Sequence, residues 1–141
     1  MSTVIAATSG SPSSRRAIGR VAELFDDSDI VVAMVVPGRG AHRRSGDEGR
    51  SDVRIAIEEI AIDAAHEVVK AACERIGTMA RPVVLLGEPA MALCDLARSE
   101  GAEAIVVGSL GSDSIRSLLG PSVGDDLRIH APCTVIELGG T

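Results

Sequence analysis

Short apolar runs rich in β-branched residues alternate along this chain with stretches whose apolar residues recur at helical spacing, and that alternation leaves few folds open. Thr3 to Ala7 is the first run, and the Ser/Pro cluster after it reads as a turn and a helix start, with Ser11 as N-cap and Pro12 at the first helical position. Ala17, Ile18, Val21, Leu24 and Phe25 then fall at helical intervals. Ile30 to Val36 is apolar without interruption, as strands covered on both faces are. The polar segment Pro37 to Ser51, with Pro37, Gly38, Gly40 and Gly46, reads as a surface loop. A long helix is predicted from Asp52 to about Ile76, with Ile55, Ile62, Ala65, Val69 and Ala72 as its buried stripe and Gly77 as its stop. Arg81 to Leu86 is the third strand, Ala90 to Ser99 a helix ended by Gly101, and Ala104 to Val107 the fourth strand. A last helix over roughly Ser122 to Ile129 leads through Pro132 to a fifth strand, Cys133 to Leu138. Strict alternation of this kind predicts an α/β fold of three layers, a Rossmann-like parallel sheet with helices on both faces. Neither a repeat nor a linker divides the chain, so residues 1–141 are expected to form a single domain.

What would fill the core is also limited. The chain has one Phe and neither Trp nor Tyr, so packing must come from Val, Ile, Leu and Ala. The same shortage argues against single-stranded nucleic acid, which needs rings for bases to stack on. A formal charge of -6 repels phosphate backbones, so no nucleic-acid partner is expected. The three cysteines, Cys73, Cys94 and Cys133, are widely spaced and form no metal-ligand pattern, which points to reduced, buried thiols and no metal site. The N-terminus lacks a secretory pattern and the longest apolar run is too short to cross a bilayer, so a cytoplasmic protein without membrane contact is expected.

Open parallel sheets bind ligands at the carboxyl ends of their strands, where the chain order changes direction. Three segments occupy such positions: Thr8 to Ser11, Val35 to Arg44, and Gly108 to Ser122. In the last, Gly108-x-x-Gly111 directly follows an apolar strand and a helix opens near Ser122. Glycines there admit close approach to the backbone, and amides ahead of a helix N-terminus favour an anion.

The string Gly108-Ser-Leu-Gly111, Leu118-Leu-Gly-Pro-Ser-Val123 and His130-Ala-Pro-Cys-Thr-Val135 resembles the C-terminal signature of universal stress proteins. Ala6-Ala-Thr-Ser-Gly-Ser-Pro-Ser-Ser14 resembles that family's first strand and turn, and Val83 to Pro89 with Gly101 to Gly108 its third and fourth strands. The resemblance implies five parallel strands in the order 3-2-1-4-5 and a homodimer formed through the last strand, Cys133 to Leu138. It also implies ATP or another adenine nucleotide, with magnesium only alongside it, as in the branch whose motif is Gly-x2-Gly-x9-Gly-(Ser/Thr). Carried onto this chain, it nominates Thr8, Ser9 and Gly10 after strand one, the backbone of Val35 against adenine, and Gly108, Gly111, Gly120, Ser122 and Val123 about the phosphates. Two positions depart from the pattern. Pro121 stands where the third glycine belongs, with Gly120 one place early, and Ser9 stands where the family has an aspartate. Proline removes one N–H donor, and a serine replaces a charge-assisted hydrogen bond by a neutral one about half as strong. Together these cost about 2–3 kcal/mol, or on the order of 30- to 150-fold in affinity.

Catalysis finds little support. His42, His66 and His130 are scattered, no nucleophile stands beside a base in the sequence pattern, and Asp26-Asp27, Glu58-Glu59 and Asp125-Asp126 read as solvated faces. Arg39, Arg43, Arg44 and Arg116 are cations that would restore some attraction if aimed at the nucleotide, an aim that sequence alone does not fix. The leading expectation is a dimeric stress-response regulator that acts on a protein client of unknown identity, its shape or partners changed by nucleotide. The alternative is a nucleotide-free interaction protein of the same fold, and slow ATP hydrolysis comes third.

Overall fold

The computed structural model describes residues 2–9, 12–36, 51–77, 80–108 and 123–138. Strands β1 (Thr3–Ala7), β2 (Asp29–Val36), β3 (Ala80–Leu86), β4 (Ala104–Gly108) and β5 (Thr134–Leu138) form one sheet. Between them lie helices α1 (Pro12–Leu24), α2 (Ser51–Ile76), α3 (Pro89–Glu100) and α4 (Val123–His130). The strand order is β3-β2-β1-β4-β5 and every pairing is parallel, as the alternation and the resemblance predict. Ile5 is in register with Val31 on one side and Ile105 on the other, so β1 is the central strand.

Alternate residues of each strand go to opposite faces, and two separate cores result. On one face Val4, Ala6, Ile30, Val32 and Val106 pack under α1 and α2 through Ile18, Val21, Val69 and Ala72. On the other, Ile5, Val31, Ala33, Ile105 and Val107 pack under α3 and α4 through Leu93, Cys94, Ala97 and Leu127. β1, β2 and β4 are almost wholly buried, which is why they read as unbroken apolar runs.

The helix ends follow from local chemistry. Gly101 adopts φ 62°, ψ 38°, a left-handed conformation that costs glycine little, and the next amide, Ala102 N–H, returns to the Ala97 carbonyl at 2.9 Å. At the other end of α3, Pro89 occupies the first turn and Glu88 is the N-cap, its carboxylate accepting from the amides of Met91 (2.8 Å) and Ala90 (3.4 Å). β5 begins at Thr134, one residue later than the apolar run suggests, with half-buried Cys133 packed against the α3 side of the sheet just before it.

In α2 the predicted stripe is only half realised. Ala65, Val69 and Ala72 are buried, whereas Ile55 and Ile62 are half-buried, and Val53, Ile57 and Ile60 are more than 60% exposed. Length explains the difference: 26 helical residues span about 39 Å, against about 23 Å for a strand of 7. Since α2 descends to β3 and is seated from Ala65 onward, its first part overhangs the carboxyl edge of the sheet.

Candidate functional site

The sheet order places a topological switch point between β1 and β4. From β1 the chain passes to α1 on one face; from β4 it passes to α4 on the other. The two connections leave in opposite directions and open a crevice above the ends of the two neighbouring strands. Ala6 is in register with Val106, the last pair of the β1–β4 ladder, and two residues farther along each chain come Thr8 and Gly108.

Thr8 is 5% exposed and its amide donates to the Ala33 carbonyl at 2.9 Å, so this amide is committed to the sheet and cannot serve a ligand. Ser9 follows at the mouth of the crevice, half-buried. Val35 is located by the same bond. In a strand, the N–H and C=O of alternate residues face the same neighbour. Val35 has the parity of Ala33 and turns its peptide groups toward the β1 side, beyond the last β1–β2 bond. Val36 has the opposite parity, and its carbonyl accepts from Gly87 N–H at 3.1 Å. The Val35 side chain is buried in the core beneath α3, so a ligand could meet this residue only through its backbone.

Gly108 is the last residue of β4 and is in register with Leu138 of β5. Val123 opens α4, and Leu127, 1% exposed, anchors that helix on the sheet. The N-terminus of α4, the positive end of its dipole, therefore lies at the carboxyl edge. The N-terminus of α3 reaches the same edge, but Glu88 already satisfies its amides and adds a negative charge. Of the two helix ends, that of α4 is therefore the electrostatically more favourable one for an anion. Thr8 and Ser9 follow β1, Val35 and Gly108 lie at the carboxyl ends of β2 and β4, and Val123 begins α4. Gly10, Gly111, Gly120, Pro121 and Ser122 lie outside the described residues, as do His42, Arg39, Arg43, Arg44 and Arg116.

The remaining titratable groups fall elsewhere. His66 and His130 are exposed, His130 in the last turn of α4 where positive charge is favoured. Asp26 and Asp27 are exposed. Cys73, Cys94 and Cys133 are free thiols, each pushed above its ordinary value chiefly by burial. Among the described residues, no group of three or more His, Cys, Asp and Glu is placed to hold a metal ion, and no helix is long and apolar enough to cross a membrane.

Residues 1–136 match the model of the universal stress protein family. The chain belongs to that family. It is 30% identical over 140 residues to universal stress protein Rv1636 of Mycobacterium tuberculosis, an alignment covering 95% of this chain and 93% of the relative. Among solved structures, it is similar to the universal stress protein of Archaeoglobus fulgidus in complex with dAMP, at 25% identity and a TM-score of 0.63 over 97% of this chain and 96% of that one. A universal stress protein in complex with cAMP superimposes with a TM-score of 0.67 at 24% identity, covering 99% and 98% of the two chains.

Sequence reasoning missed two features. One is the Glu88 cap, signalled only by a glutamate ahead of Pro89. The other is a groove between α1 and α2, bordered by Arg15, Glu67 and Arg75. No sequence signal links α1 to α2 across the intervening strand and loop.

Proposed function

We propose that this universal stress protein binds an adenine nucleotide in the crevice between β1 and β4 and acts by binding, not by catalysis. The observation that carries this reading is the direction of the Val35 peptide groups, which present backbone hydrogen-bonding edges past the end of β1. An adenine ring can be read by such an edge whatever side chain the residue has. The α4 N-terminus supplies the complementary end, where dipole and amides suit a phosphate. The Archaeoglobus relative in complex with dAMP supports the choice of an adenine nucleotide. Magnesium would enter only with a polyphosphate.

The reading is tested by releasing small molecules from purified protein with acid, identifying them by mass, and titrating ATP, AMP and cyclic AMP calorimetrically. Saturable heat with at least one of them is expected, with ATP unhydrolysed over the titration. Absence of heat with all three would favour a nucleotide-free interaction protein, the reading to which Ser9 and Pro121 lend weight.

The form of action we propose is regulatory, through a client protein, and the assembly is a homodimer formed along β5. That strand ends the sheet, and Val135 and Ile136 within it are only half-buried. The opposite edge, β3, carries Pro82, which lacks a ladder donor, and Arg81, ion-paired with Glu100. Two copies of β5 meeting about a two-fold axis would cover the less protected edge of each.

A further inference from the structure

A groove of about 390 Å³ runs between α1 and α2, on the sheet face opposite to the core that holds Val35. Its floor is apolar, made by the buried Ile18 and Ala72, with Val68 and the exposed Ala71 beside them, and Thr8 is a buried polar residue of its lining. Arg15 on α1 and Glu67 and Arg75 on α2 line its walls. Glu67 and Arg75 are eight residues apart, about 12 Å along the helix, so the α2 wall carries its carboxylate and its guanidinium at opposite ends. Among the described residues, neither Arg15, Glu67 nor Arg75 is in a salt bridge; the pairs formed are Arg81–Glu100, Arg98–Asp95 and Arg128–Glu137.

We propose that this groove is a second binding site, for an amphipathic monocarboxylate. Its volume lies at the lower end of the ~300–1,000 Å³ typical of small-molecule sites, and its composition, an apolar floor with few polar groups, is also theirs. Two guanidinium groups against one carboxylate leave a single net positive charge. Guanidinium matches a carboxylate in fork geometry, and the apolar floor takes a hydrocarbon body. Glu67 opposes a second negative charge on the ligand, which sets the site apart from one for phosphates. Among the described residues, Thr8 is the only nucleotide candidate that borders the groove, and the two sites are expected to fill independently.

Decanoate serves as the probe, with decanol as its uncharged match, both below their aggregation range and titrated by NMR of the labelled protein. Saturable shifts at Arg15, Ile18 and Ala71 with decanoate, and binding at least several-fold weaker for decanol, are expected. Arg15→Gln and Arg75→Gln should each weaken decanoate about 2- to 5-fold, the range of partly exposed charge pairs, and added salt should weaken it further. Ala71 is exposed, so Ala71→Trp should fold normally, fill the groove and abolish decanoate shifts while leaving nucleotide heat unchanged. Equal binding of decanol and decanoate, unchanged affinity in both arginine variants, or absence of saturable shifts would overturn the proposal. Displacement of decanoate by ATP would also overturn it, because the groove would then belong to the nucleotide crevice.

Discussion

The amide of Thr8 donates to the carbonyl of Ala33 at 2.9 Å, one residue beyond the end of β1. That bond fixes where the β1–β2 ladder stops. It leaves Ser9 as the first residue over the crevice, and it sets the parity that turns Val35 toward the same opening. Placing a carboxylate at Ser9 would restore a charge-assisted hydrogen bond to a nucleoside hydroxyl. Ser9→Asp is expected to tighten adenine-nucleotide binding by about 1 kcal/mol, roughly fivefold, in a calorimetric titration. Unchanged or weaker binding would show that Ser9 does not meet the nucleoside.

Glu88 bridges its own cap position and the first turn of α3 through Met91 N–H. Glu88→Ala should destabilise the fold by about 1 kcal/mol in urea unfolding, as loss of a helix cap does. Nucleotide affinity should not fall, because removing a negative charge from the carboxyl edge does not oppose an anion. Lost binding with unchanged stability would mean that α3, not α4, receives the ligand.

Substitutions on α2 should divide at the edge of the sheet. Val69 is fully buried, and Val69→Ala is expected to cost about 1–3 kcal/mol through lost burial and a cavity. Ile57 is 61% exposed on the overhanging part, and Ile57→Ser should change stability by no more than about 0.5 kcal/mol in the same melts. A large loss at Ile57 would indicate that this side of α2 is covered, in the monomer or by a second copy.

Burial raises the Cys73, Cys94 and Cys133 thiols above their ordinary value of 9.0. The sign of the consequence follows from linkage. Below about pH 9 folded and unfolded chains both hold the thiol protons, and the stabilisation is complete. Above it the unfolded chain releases them first, so stability falls until the folded thiols titrate in turn. Urea melts at about pH 8 and about pH 10 should show that decline, and Cys73→Ala should reduce it. A stability that stays level across the interval would contradict the burial of these groups.

Much of the fold was legible because the inner strands β1, β2 and β4 announce their burial. Ile30 to Val36 has no polar residue, and only a strand covered on both faces can afford that. The overhang of α2 was not legible, since helical periodicity continues from Ile55 to Val69 whether or not a sheet lies beneath it. The Glu88 cap was hidden because serine, threonine, aspartate and asparagine are the usual N-cap residues. The places of Gly108 and Val35 near strand ends were legible, while their glycine and backbone roles rest on the family resemblance. The groove of Arg15 and Arg75 was not legible, because only the docking of α1 beside α2 brings those side chains to one opening.

The central claim is that adenine nucleotide enters above the ends of β1 and β4. Amide shift mapping of the labelled protein during AMP and ATP titration tests it most directly. Saturable shifts at Ser9, Val35, Gly108 and Val123, with little change at Met91 and Ala71, are the expected result. Shifts centred on the α3 N-terminus or the α1–α2 groove, or none at saturating nucleotide, would contradict it.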